Sequence, residues 1–449
     1  MRTLHCFLLM AFMGLVVMNS ATACIDTAPS REVGVGVIDT GRDVSTPAVA
    51  VDGTVLVLTW AESLTDEVDP ATTQTDIYYQ LVPVDGIPET GEGATPAVAC
   101  AGNQGGPHPL ISDFGRAVAW TTRSEATAPK LSVLWKGIND ETSCCDAKRT
   151  ALATDNQWDP QLAIANGLAA IVYLDRSDTD GMILRASLID LGSGAIVREV
   201  ELSNRGLDMD QTSHSVTAGE NRFLALWREK GTSRSPGATE SGVLIAALLD
   251  FEGEITWGPT QLSGDVPSFN WPWEAGFHEG SFFVPVYPYV WRESDRACCL
   301  FCESPNQWET TCTYRDYDVA IQLISENGTL LGDPYCVDCK AESWPASVRQ
   351  LMISSDAAGV YLFWADPVLR LEPSAQGGRF LVRVTADQLS VPKSAWRDLS
   401  FPAAPEGFER GFDSFIVADG TCVLVGTLST PLGTEQQNSR VWLGSFNFD

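Results

Sequence analysis

The chain is 449 residues long and carries 58 acidic against 29 basic residues, a net charge of −29. A surface of that sign repels nucleic acid and anionic lipid head groups, so neither is bound through bulk electrostatics. The acid surplus reads as solubility outside a cell, with calcium as the cation it would attract.

The first predicted element is an export signal. Arg2 supplies a positive start, Phe7 to Met18 form a short apolar run, and Ala21-Thr22-Ala23 leads into Cys24. The run is too short to span a bilayer as a helix but suits the h-region of a signal peptide over residues 1–23. The small-x-small triplet before Cys24 resembles the lipobox of bacterial lipoproteins, although Ala21 stands where that family usually has Leu. The resemblance implies cleavage before Cys24, acylation of its thiol and a linker over 24–32. Plain signal cleavage at the same bond is the other reading. The expected location is the cell envelope, at the outer membrane or the periplasmic face, or otherwise the periplasm or medium. No second apolar run approaches membrane length, so the lipid is the one membrane contact expected.

About 425 residues follow, enough for two or three domains by size. A repeat argues for a single one over 33–449. Each module has a short strand and turn, an apolar strand ending near an aromatic, a polar loop and a further alternating strand. The first strand reads Thr46-Pro47 to Asp52-Gly53, His108-Pro109 to Gly115, Asp159-Pro160 to Gly167, and Asp413 to Gly420. The second reads Val55 to Trp60, Arg116 to Trp120, Leu168 to Tyr173, Phe223 to Trp227, Phe282 to Tyr287, Val360 to Trp364 and Cys422 to Val425. Asp-Gly and Asn-Gly pairs favour tight hairpins, and no segment keeps helical periodicity. Radial closure removes the exposed edges of so many strands. The expectation is an all-β, seven-bladed β-propeller with blades starting near 46, 108, 159, 213, 271, 345 and 412. An N-terminal strand over 33–38 would pair with 440–447 and close the ring. The module resembles repeats in a broad group of mostly uncharacterised bacterial lipoproteins, which implies a propeller and export but transfers no catalytic residue.

Of the 12 cysteines, Cys6 falls in the signal and Cys24 at the lipid site, leaving an even number for an oxidising compartment. Cys298, Cys299, Cys302, Cys312, Cys336 and Cys339 mark a cysteine-rich loop insertion in the fifth blade. Disulfides are favoured there over a tetrathiolate zinc site, because exported chains rarely keep free thiolates. Cys144 or Cys145 could reach Cys100, whereas Cys422 sits inside an apolar strand and reads as a buried thiol.

Searches for chemistry return little. No zincin, nucleophile-elbow or phosphate-loop motif occurs. Val37-Ile38-Asp39-Thr40-Gly41 looks like an aspartic-protease signature but has no second copy to share its proton. Asp175, Asp178 and Asp180 lie in one loop with Gly181 and are the calcium candidates, although their spacing lacks the alternating oxygens and distal Glu of an EF-hand. In a propeller the innermost strands line the axial channel. His108, Asp159, His214 and Asp413, all near the starts of such strands, are therefore the ligand candidates.

Two functions follow. The first is a monomeric, non-enzymatic binding scaffold, held by its lipid, needing no cofactor and presenting loops to a protein or glycan. The alternative is an extracellular glycan hydrolase, sialidase-like or related, which needs a carboxylate pair at the channel mouth. No catalytic residue is identifiable from sequence alone.

Overall fold

The computed structural model describes residues 31–32, 34–40, 42–64, 74–84, 95–98, 103–112, 115–123, 130–134, 149–151, 157–178, 181–207, 214–230, 242–266, 274–286, 289–294, 312–317, 319–338, 350–365, 379–389, 397–400, 409–410, 412–430 and 439–448. The export signal and Cys24 lie outside them, as do Cys100, Cys144, Cys145, Cys298, Cys299, Cys302 and Cys339. Among the described residues no helix is long and apolar enough to cross a membrane.

The chain is a β-propeller. Its sheets are antiparallel meanders, because alternating apolar strands are joined by turns whose backbone matches strand twist. Asn166-Gly167 and Asp419-Gly420 adopt positive φ at both residues, as such two-residue turns require (50° and 74°, 47° and 75°). The first blade comprises Asp43–Asp52, Val55–Leu64, Gln74–Pro83 and Thr95–Val98. The second comprises Asn103–Ser112, Gly115–Arg123, Lys130–Leu134 and Arg149–Ala151. Gln157–Ala165, Leu168–Asp178, Gly181–Asp190 and Ile196–Leu207 make the third, and His214–Ala218, Arg222–Lys230, Gly242–Asp250 and Ile255–Val266 the fourth. The fifth has Gly276–His278, Ser281–Val286, Val319–Ser325 and Tyr335–Asp338, and the sixth Gln350–Asp356, Gly359–Ala365, Arg379–Val384 and Arg397–Ser400.

The sequence-based count is corrected here. Six blades, not seven, are complete within one contiguous stretch of chain. The remaining sheet is composite: Ser414–Ala418, Thr421–Ser429 and Ser439–Asn447 are joined by Gly34–Ile38 from the other end of the sequence. Closure by a single N-terminal strand is corrected as well. The N-terminal residues are divided between two sheets, Arg31–Glu32 running parallel to Leu399–Ser400 in the sixth blade and Gly34–Ile38 antiparallel to Val441–Ser445. The innermost strands themselves complete the circle, since Asp43–Asp52 lies directly beside Ser414–Ala418.

The core lies between blades rather than within them. One cluster joins the fourth, fifth and sixth blades around Phe282, Phe283 and Leu362, and another joins the third and fourth around Val172, Phe223 and Trp227. Cys422 is buried in a third cluster, with Phe363, Phe415 and Trp442. Trp60, Trp120, Trp227 and Trp442 are each at most 1% exposed. Burying side chains of this kind stabilises by roughly 2–3 kcal/mol apiece, which is why every blade needs its neighbours.

The fifth-blade insertion is also corrected. It is flanked by paired strands, Tyr289–Ser294 and Cys312–Tyr317 forming a two-stranded ribbon with Cys312 opposite Ser294 in the ladder, and residues 295–311 between them lie outside the described residues. Cys336 pairs with Ala320 in the fifth-blade sheet. Cys422 is the cysteine whose side chain is described, and it is a buried thiol.

Candidate functional site

The site begins with a repeated irregularity of the innermost strands. In the first blade the ladder skips from Ser45↔Ala61 to Ala48↔Thr59, so Thr46 and Pro47 together face Trp60. The second blade repeats this with Gly106 and Pro107 opposite Trp120, between Gly105↔Thr121 and His108↔Ala119. The third has Asp159 and Pro160 opposite Tyr173. Two residues facing one is a bulge, and proline fits there because it has no N–H to give the ladder. Thr46 carries φ of 48°, a left-handed conformation that costs a β-branched residue about 1–3 kcal/mol. In the composite sheet the ladder jumps from Arg410↔Leu428 to Ser414↔Val425, and Asp413 falls in that gap.

These bulges surround an axial cavity of about 440 Å3. Its lining includes Thr46, Gly106, His108, Gln161, Ser215, Thr217, Glu274, Ile353, Asp413 and Phe415, so all the innermost strands contribute. Two carboxylates share it. Enclosure by protein raises the Glu274 carboxyl to about 7, against the opposing effect of the Ile353 backbone N–H that donates to it. Desolvation also raises Asp413, but Thr427 counters it with both a backbone and a side-chain hydrogen bond. Thr427 Oγ1 donates to Asp413 Oδ2 at 3.2 Å, and Asp413 N donates to Val425 O at 2.9 Å. One carboxyl is thus held with a single donor and the other with two, an asymmetry that favours protonation of Glu274 over Asp413.

Of the four residues expected at the channel, the structure brings His108 and Asp413 to this cavity. His214 is 1% exposed and opposite Trp227, so it packs inside the fourth blade. Asp159 lies in the third-blade bulge opposite Tyr173, and its side chain is outside the described ones. Glu274 is the residue that sequence reasoning missed.

Elsewhere, carboxylates serve the fold. Asp175 is fully buried, and Arg185 Nε meets its Oδ2 at 2.8 Å, while Asp180 lies outside the described residues. Trp60 Nε1 donates to Glu62 Oε1 and Trp227 Nε1 to Glu229 Oε1, both at 2.9 Å, because residues two apart share one side of a strand. A second cavity of about 450 Å3 lies between the third and fourth blades beside Glu201, Ser203 and Glu229. There Ser203 Oγ holds Glu229 Oε1 at 2.6 Å. Among the described residues, no group of three or more His, Cys, Asp or Glu has the arrangement of a metal site.

No protein-family model matches the chain. No curated protein sequence matches it either. Solved structures do. The β-propeller domain of the Trilobed protease from Pyrococcus furiosus is similar at 9% identity and TM-score 0.45, covering 91% of this chain and 95% of that one. The polysaccharide lyase Uly1 is similar at 9% identity and TM-score 0.47, covering 90% of each chain. A subtype N11 neuraminidase-like protein of A/flat-faced bat/Peru is similar at 8% identity and TM-score 0.43, covering 96% and 93%. At these identities the likeness is one of fold. The fold and site together define a β-propeller with two carboxylates in its axial cavity.

The expectation of a non-catalytic scaffold is corrected at this point. Two carboxyl-bearing residues of the kind the glycan-hydrolase alternative calls for, Glu274 and Asp413, line the one cavity.

Proposed function

We propose that the protein is an extracellular glycan-cleaving propeller whose reaction occurs in the axial cavity. The observation that carries this reading is the pairing of Glu274 and Asp413 in one cavity, with the Glu274 carboxyl raised to about 7. A carboxylic acid half protonated at neutral pH can give its proton to the departing glycosidic oxygen. Asp413, hydrogen-bonded by Thr427, is the carboxylate that takes a proton from the attacking water. The C–O bond breaks, the leaving oxygen keeps the Glu274 proton, and the water oxygen bonds to the anomeric carbon. Two carboxylates suffice for this chemistry, so the proposal asks for no cofactor. The test is reducing-end release from a panel of polysaccharides by the chain lacking residues 1–23, alongside its Glu274→Gln and Asp413→Asn variants. Turnover that falls about 100-fold or more in each variant supports the proposal; wild-type rates in both variants contradict it.

We further propose export through residues 1–23, attachment to a bacterial envelope through a lipid on Cys24, and action as a monomer on glycan rather than nucleic acid. The apolar run, the triplet before Cys24 and the charge of −29 support this. A Cys24→Ser variant should move from the membrane to the soluble fraction; unchanged fractionation removes the anchor.

A further inference from the structure

Three features of the cavity bear on which glycan enters. Among the described residues its titratable lining groups are the carboxyls of Glu274 and Asp413 and the imidazole of His108, with no Lys or Arg. The bulges that border it place Pro47 and Pro107 in the lining, residues that offer a carbonyl acceptor and no N–H donor. The whole molecule carries a charge of −29, so its field concentrates cations and repels anions around a concave mouth.

We propose that the axial cavity selects an amine-bearing glycan, an amino-sugar chain with free ammonium groups, and rejects acidic glycans. The proposal rests on the glycan reading above and sharpens it. An ammonium brings three donors and a positive charge to a lining rich in acceptors. A uronate or sialate would instead bring a further anion beside Glu274 and Asp413, with no Lys or Arg among the described lining residues to meet it. A neutral glycan gains the hydroxyl contacts alone and binds less tightly than the amine. The ammonium is placed against the Asp413 carboxylate, which leaves Glu274 the proton that its role as acid requires.

The experiment is isothermal titration of the chain lacking residues 1–23 with three hexamers: glucosamine, N-acetylglucosamine and galacturonate. The expected result is tightest binding of the glucosamine hexamer, about 10-fold or more above the acetylated one, and no detectable galacturonate binding. Asp413→Asn should weaken glucosamine binding about 10-fold. Equal or tighter galacturonate binding overturns the amine selectivity while leaving glycan cleavage standing. Failure of all three hexamers to bind, with the chain and its variant folded by circular dichroism, overturns it also. Because binding and turnover are read separately, loss of one does not conceal the other.

Discussion

The two ends of the ring's innermost strands differ in how their polar groups are satisfied. At the far end, hairpin turns of neighbouring blades are latched together. Arg116 Nε reaches Asp52 Oδ2 at 2.6 Å between the second and first blades. Asn166 Nδ2 donates to Glu220 O at 2.9 Å between the third and fourth. Glu326 receives both the backbone N–H and the side-chain amide of Asn221, at 2.8 and 2.9 Å, from the fifth blade to the fourth. Asp356 accepts Gly420 N–H at 3.3 Å. At the near end the ladders bulge, Thr46 is strained, and Glu274 and Asp413 are held with raised carboxyl pKa values. One end is assembled for cohesion, and the other stores cost where we propose that the reaction occurs. Disturbing the latched end should therefore move stability, and disturbing the bulged end should move activity.

The largest expected effect breaks the bulged end alone. Glu274→Gln should reduce turnover by about 100- to 10,000-fold, the usual worth of a general acid, while leaving the thermal midpoint at pH 7 unchanged or raised. A lowered midpoint with intact turnover would reverse the roles of the two ends. Next comes Gly328→Ala, in the turn after Val319–Ser325. Gly328 has φ of 84°, and a Cβ there would drive into the Trp257 ring of the fourth blade. The loss should be about 2–4 kcal/mol in urea unfolding, with kcat retained below the lowered midpoint.

A smaller effect concerns pH. The Glu274 carboxyl rises from an ordinary 4.5 to about 7 in the folded state, so between those values the folded chain binds more protons than the unfolded one. Its contribution is fully present below about 4.5 and is lost as the pH climbs toward 7. Urea midpoints measured across this window should decline with pH in wild type and decline less in Glu274→Gln. Smaller still, Thr427→Val removes the Oγ1 bond to Asp413. It should raise that carboxyl further and cut turnover about 10-fold, with the acid limb of the pH profile shifted upward. Asn221→Ala, which removes one latch bond to Glu326, should cost about 1 kcal/mol in the same unfolding assay and nothing in kcat.

Much of the ring was legible in the sequence because strand alternation and Gly-containing turns are local signals. The second strands, from Val55 to Trp60 through Phe223 to Trp227, stand where their apolar runs place them. Bulge register was not legible. His108-Pro109 looks like the counterpart of Asp159-Pro160, yet pairing against Trp120 puts Gly106-Pro107 in that role. An extra residue leaves no mark on composition; only the partner strand reveals it. Glu274 was hidden for a related reason. It precedes a strand of just three residues, Gly276–His278, too short to show alternation. Counting back from the hairpin glycine would have found it, since Glu274 lies six residues before Gly280 and Asp413 seven before Gly420. The composite sheet was miscounted as an equal module because its second strand, Thr421–Ser429, is as apolar as any other. The ladder shows that its partners come from opposite ends of the chain.

The most direct test of the carboxylate pair is the pH dependence of glycan cleavage by the chain lacking residues 1–23, in wild type and Glu274→Gln. Initial rates of reducing-end release from amine-bearing and neutral oligosaccharides would be followed from about pH 4 to about pH 9. Wild-type kcat should fall as the pH rises through about 7, where Glu274 gives up its proton, and the variant should be at least about 100-fold slower with that limb gone. Equal rates and the same descending limb in both proteins would contradict the assignment of Glu274 as the acid and, with it, the axial cavity as the seat of the reaction.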